Sequence, residues 1–290
     1  MKPSQARRSL LTVAVLSAAL TSGCGFVSNL RAKNQLNEGA RLYKSRQYAE
    51  AQQHFERAIE LNPDQKIARF FRARAIHSQY KPGVEQEQNV AKAREAIRAY
   101  QEYLQIEPNS DEAYNAIVYL LRAIKDEQQE REWLVQRANL ETIPAEKRSQ
   151  AYTVLASKQW QCSYNITERE GNARTAVSRG QPAVERVRPK DQIDYDKARR
   201  CAERGMEFVE QAVGLDPDSE QAWSYNANLL LELVKLAETE GDSERAAAYS
   251  ERAAEAQRRT QQLNEQSRKK RVAEEEKRAK ESRSQTDPPK

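Results

Sequence analysis

Between Asn34 and Asp64 the chain spaces five residues as two closely packed antiparallel helices require: Gly39, Ala51, Phe55, Ala58 and Pro63. Gly39 and Ala51 are small enough to let the helices approach, and Phe55 fills the space beside that contact. Pro63 cannot continue a helix, so Leu61-Asn62-Pro63-Asp64 closes one unit and opens the next. The same punctuation returns at Ile106-Glu107-Pro108-Asn109 and at Leu215-Asp216-Pro217-Asp218. A helix start follows each: Ser110-Asp111-Glu112-Ala113-Tyr114, then Ser219-Glu220-Gln221-Ala222-Trp223. Ser110 and Ser219 are N-cap candidates, with acidic residues in the first turn to suit the helix dipole. A weaker copy, Gln150-Ala151-Tyr152, follows Pro144, and Trp223, Ala227, Ala246 and Ala253 repeat the spacing of small and large residues.

Composition narrows the fold further. Only 9 Gly and 5 Phe occur among 290 residues, and no alternating Val/Ile/Thr run predicts a strand, so the expected class is all-α. Charged residues make up 31% of the chain, which implies heavily solvated outer helix faces. The formal net charge of +5 falls to +2 once Lys2, Arg7 and Arg8 are set aside, so nothing demands an acidic partner. From about Gln257 the last helix runs past any repeat into a charged extension, 266–290, with Ser282–Lys290 expected to be disordered. Glutamates interleave with its Arg268-Lys269-Lys270-Arg271 run, which argues against a nucleic-acid partner.

The unit of about 34 residues resembles the tetratricopeptide repeat. That resemblance implies a right-handed superhelix of about four to five antiparallel helical hairpins over 32–265, interrupted by insertions near 80–89 and 166–190 and followed by a long charged helix. It implies a binding scaffold rather than an enzyme, with a protein or peptide ligand and no cofactor. In this family the first helix of each hairpin lines a concave groove. Its ligand-reaching positions carry over to Tyr43, Phe70, Arg74, His77, Asn115, Tyr119 and Arg122. Arginine offers paired contacts to carboxylates and the aromatics supply area to bury. Arg69 and Arg72 occupy positions that are usually apolar.

Residues 1–23 read as an export signal: a basic start at Lys2, Arg7 and Arg8, an apolar run from Ser9 to Leu20, and small residues at Ser22-Gly23. The apolar run is shorter than the roughly 20 residues a membrane span needs. Cys24 follows at once, which resembles the bacterial lipoprotein box, although Thr21 stands where that box usually has leucine. The resemblance implies a lipid-modified Cys24, a short tether at 24–31, and attachment to a membrane. Gly25 replaces the aspartate that retains such proteins at the inner membrane, which implies the periplasmic face of the outer membrane. The pair Arg7-Arg8 leaves both the general and the twin-arginine export routes open.

Cys162 and Cys201 then remain, an even pair in an oxidising compartment, on what the repeat pattern makes the two arms of the fourth hairpin. The expectation is a disulfide closing the insertion; two separately buried thiols are the alternative. Only two histidines occur, and His54 reads as a helix-surface residue. No His/Cys/Asp cluster has metal spacing, and no glycine run cradles a phosphate. The expected function is an envelope scaffold serving outer-membrane, pilus or secretion, or cell-wall assembly. Its rivals are an accessory that recruits a cell-wall hydrolase, an enzyme built on the loop Thr167–Lys190, and a cytosolic scaffold.

Overall fold

A computed structural model describes residues 27–169, 171, 173–178 and 181–286. Residues 1–23, expected to be an export signal, and Cys24 lie outside the described residues. The chain divides into two compact units, Met1–Glu130 and Arg131–Lys290.

In the first unit, α1 (27–44), α2 (Tyr48–Leu61), α3 (Lys66–His77), α4 (Glu87–Leu104) and α5 (Asp111–Ala123) follow one another. From α2 onward each packs against the next. Buried alanines mark the close contacts: Ala51 and Ala58 in α2, Ala68 and Ala75 in α3, Ala93 and Ala96 in α4. Gly39 is required by geometry, since a Cβ there would lie 2.7 Å from the Phe55 ring. Both α1 and α5 end on a residue in the left-handed region, Arg46 at φ 62° and Lys125 at φ 58°. The bend lets Gln47 N–H donate to Leu42 O at 3.0 Å, and Asp126 N–H to Leu121 O at 2.9 Å. These bonds satisfy helix-end carbonyls, which offsets the cost of placing a non-glycine residue there.

The caps are those the sequence indicates. Ser110 Oγ accepts from Ala113 N–H at 3.4 Å, and Ser219 Oγ from Ala222 N–H at 3.3 Å. Ser110→Ala and Ser219→Ala are each expected to cost about 1 kcal/mol, read as a shift in urea midpoint with unchanged slope. The 80–89 insertion is an ordered loop. Gly83 turns at φ 78°, and the Asn89 amide clamps Lys81 on both sides, accepting from its N–H and donating to its carbonyl, each at 2.8 Å.

Helix α6 (Glu127–Asn139) crosses the division between the units. The second unit continues with α7 (Ala145–Thr167), α8 (Gln192–Leu215), α9 (Glu220–Glu240) and α10 (Ser243–Thr286). Cys162 and Cys201 are joined, with Cα atoms 6.0 Å apart, so a covalent bond ties α7 to α8. Three helices meet closely at Gly205, where a Cβ would sit 2.4 Å from a Leu229 methyl and 3.1 Å from Gln159 Cβ. Beside them Glu232 is almost wholly buried at 1% exposure. Its carboxylate accepts from Thr167 Oγ1 at 2.7 Å and Ser163 Oγ at 3.2 Å, and pairs with Lys235 at 2.6 Å. Hydrogen bonds and a counter-ion together make a buried carboxylate tolerable.

Two sequence expectations need correction. The 166–190 insertion contains an antiparallel hairpin, β1 (Ala173–Ser178) and β2 (Gln181–Arg186), where no strand was expected. Each strand is only six residues, too short for alternation to stand out, and Pro182 is tolerated because a two-stranded ribbon consists of edges. Helix α10 also continues past Ser282 to Thr286. Among the described residues its last buried side chain is Leu263. Beyond that point Lys269–Glu265 and Lys277–Glu281 pairs, spaced one turn apart, support a helix with no core beneath it.

Candidate functional site

The first unit contains a cleft of about 560 Å³ lined by Tyr43, Phe70, Arg74, His77, Ser78, Tyr80, Tyr100, Glu112, Asn115 and Ala116. Its floor comes from α3. Ala68, Ala73, Ala75 and Ile76 bury one side of that helix, which turns Phe70, Arg74 and His77 outward along a stripe spaced four and three residues. Helix α1 contributes Tyr43, α4 contributes Tyr100, and α5 contributes Glu112 and Asn115.

Aromatic rings dominate the walls. Phe70 lies 5.1 Å from Tyr103 and 6.3 Å from Tyr100, while Tyr43 lies 5.3 Å from Tyr48. Tyr43 is fixed further by a 3.0 Å hydrogen bond between its hydroxyl and Ser78 Oγ. The Arg74 guanidinium sits over three rings, 5.6 Å from Tyr43, 5.7 Å from Phe70 and 5.8 Å from Phe71. Such placements are each worth about 0.5–1 kcal/mol and more when water is excluded.

His77 Nδ1 lies 3.2 Å from the Tyr100 hydroxyl. Burial, and then the positive charge of Arg74, lowers the His77 pKa below the ordinary histidine value. Burial raises the Tyr100 hydroxyl above the ordinary tyrosine value, against the opposing pull of Arg74. A histidine held neutral by folding binds its proton more readily when unfolded. The first unit is therefore expected to lose stability as pH falls through and below the unfolded histidine pKa of about 6.5. Urea midpoints compared on either side of that value check this, and His77→Asn should flatten the difference.

Of the sequence-selected residues, Tyr43, Phe70, Arg74, His77 and Asn115 come together in this cleft. The exposed Tyr119 ring stands next to it, 5.6 Å from His77. Arg122 does not line the cleft; its Nη2 pairs with the buried Glu130 carboxylate at 2.9 Å. The two arginines at usually apolar positions have partners too. Arg69 Nη2 donates to Pro63 O at 3.0 Å, and Arg72 pairs with Glu102 at 2.5 Å. His54 is half-buried rather than a plain surface residue, with Nδ1 2.7 Å from Gln35 Oε1.

Tyr80 and Tyr100 are the aromatic cleft residues that sequence reasoning missed. Tyr80 begins the insertion and Tyr100 lies on a second helix, so the rule that first helices line the groove passes over both. Among the described residues no group of three His, Cys, Asp or Glu could hold a metal. No described helix is long and apolar enough to cross a membrane.

Residues 32–65 match the tetratricopeptide repeat family. No curated protein matches the sequence. Among solved structures, the chain is similar to the MamA protein at 13% identity and a TM-score of 0.39, covering 80% of this chain and 94% of that one. YrrB, described as a TPR protein with an unusual peptide-binding site, aligns at 12% identity and 0.36, over 80% of this chain and 90% of that one. PilF of Pseudomonas aeruginosa aligns at 13% and 0.34, over 77% and 90%. Repeats of the matched family serve as protein-interaction modules, and 32–65 supplies α1 and α2 of the unit that holds the cleft.

Proposed function

We propose that this chain is a non-enzymatic scaffold of a bacterial envelope, tethered by lipid at Cys24, that binds a segment of another envelope protein in the cleft bounded by Tyr43, Phe70, Arg74, His77 and Asn115. The observation that carries the reading is that side chains from four helices, α1, α3, α4 and α5, converge on one open, aromatic-walled cleft. Aromatic and arginine side chains are those that dominate binding energy at protein interfaces.

The address rests on separate support. The order of basic start, apolar run, small residues and Cys24 is that of a lipoprotein signal. A Cys162–Cys201 bond suits an oxidising compartment. The outer membrane follows from Gly25 by the same resemblance. With three acyl chains at about 0.8 kcal/mol per buried methylene, such an anchor would hold firmly.

Two measurements test the two parts. Intact mass of protein taken from membranes should report cleavage before Cys24 and added acyl mass; an unmodified full-length chain would overturn the address. Asn115→Glu adds a negative side chain to the cleft lining from an exposed position, so the fold should survive. It is expected to weaken partner binding by at least about tenfold. Unchanged affinity would remove the cleft from the interface.

A further inference from the structure

Granted that the Tyr43–Asn115 cleft is the docking surface, its unbalanced charges describe the occupant. Arg74 is the only Lys or Arg among the lining residues. It is half-buried and makes no ion pair among the described residues, although Arg72 and Arg122 nearby each hold a glutamate. The three rings around Arg74 attract its charge but accept none of its N–H groups in the plane of the fork. A guanidinium with free donors matches a carboxylate in a paired geometry.

The α5 residues of the lining limit how many carboxylates fit. Glu112 is the only acidic lining residue, and it too makes no ion pair among the described residues. It repels a second acidic group placed beside the first. The walls are mostly helix side chains and the cleft is open to solvent, which suits a side chain of a passing segment better than a chain terminus.

His77 adds a proton to the event. Tyr100 on α4 and Tyr119 on α5 lie against it and the Arg74 charge acts on it, while Tyr43 on α1, Glu112 on α5 and Tyr80 in the loop that follows line the same cleft. A carboxylate laid against Arg74 cancels the positive charge next to the imidazole and puts a negative one in its place. We infer that the cleft takes one Asp or Glu side chain of an extended partner segment, seated against Arg74 and beside His77, and that docking takes up a proton.

The consequence is affinity that rises as pH falls through the histidine range, until the ligand carboxylate itself titrates near about 4. The test uses the full chain and short acetylated, amidated peptides, degenerate except for a central Glu. Matched sets carry Gln or Lys at the centre, and a further set has its free C-terminus as the only carboxylate. Fluorescence anisotropy is read at about pH 5.5 and about pH 8, either side of the histidine pKa.

The Glu set is expected to bind at least about tenfold more tightly than the Gln set, and more tightly at the lower pH. Arg74→Gln should erase the Glu-over-Gln preference, and Arg74→Lys, which keeps the charge but loses the fork, should reduce it. His77→Gln should flatten the pH dependence. Equal binding of Glu and Gln sets, or a preference for the free C-terminus, overturns the inference and leaves the cleft as a docking surface. A preference independent of pH overturns the proton uptake. Binding by none of the sets overturns both the inference and the cleft reading beneath it.

Discussion

Replacing Phe55 with alanine is expected to destabilise the first unit by about 3–5 kcal/mol, the range for losing a large buried aromatic side chain. Phe55 is fully buried among Leu42, Ala51 and Ala75, and it stacks on Phe71 at 5.7 Å. Phe71 in turn lies 6.3 Å from Tyr43 and beneath the Arg74 guanidinium. A cavity at Phe55 therefore loosens the aromatic floor of the cleft as well as the first hairpin. Total stabilities are commonly only 5–15 kcal/mol, so the loss should show as a large drop in the urea midpoint. Far-ultraviolet circular dichroism through a urea titration reads it. A loss under about 1 kcal/mol would mean that the hairpin does not depend on this contact.

Removing the covalent tie between α7 and α8 should have the next largest effect. Cys162 and Cys201 are separated by 39 residues, and releasing a loop of that size restores unfolded-chain entropy worth about 3–4 kcal/mol in the chain-entropy account. The double change Cys162→Ser with Cys201→Ser should lower the unfolding midpoint of the second unit, and a reductant should do the same to the unaltered chain. Trp160 and Trp223 pack against the core of this unit, and their fluorescence reports it. The stability of the double variant should be insensitive to reductant. Identical midpoints with and without the bond would show that α7 and α8 are held by packing alone.

These two sites differ in how far the sequence reveals them. Gly39, Ala51 and Phe55 are legible because a close helix contact demands small residues opposite a large one at set spacings. The pairing of Cys162 with Cys201 follows from placing them on two arms of one hairpin. Of the five selected groove positions that converge, Phe70, Arg74 and His77 do so because a helix keeps residues four and three apart on one face, while Tyr43 and Asn115 join them from α1 and α5. Arg122 shows the limit of that transfer. Its own face of α5 is right, but a long side chain goes to whichever charge is near, and the buried Glu130 captures it.

Helix and hairpin were thus determined locally, by prolines, serine caps and small residues whose effects act within a turn or across one contact. What the chain alone left open depends on contacts between residues distant in sequence. The Glu232 network joins Ser163 and Thr167 to a carboxylate more than sixty residues away. Tyr100 reaches the cleft only once α4 lies against α3, and the β1–β2 ribbon is too short to announce itself. Periodicity sets where each helix turns its apolar face; it says nothing of which polar atoms from other segments then meet, and those meetings form the cleft and the buried charge.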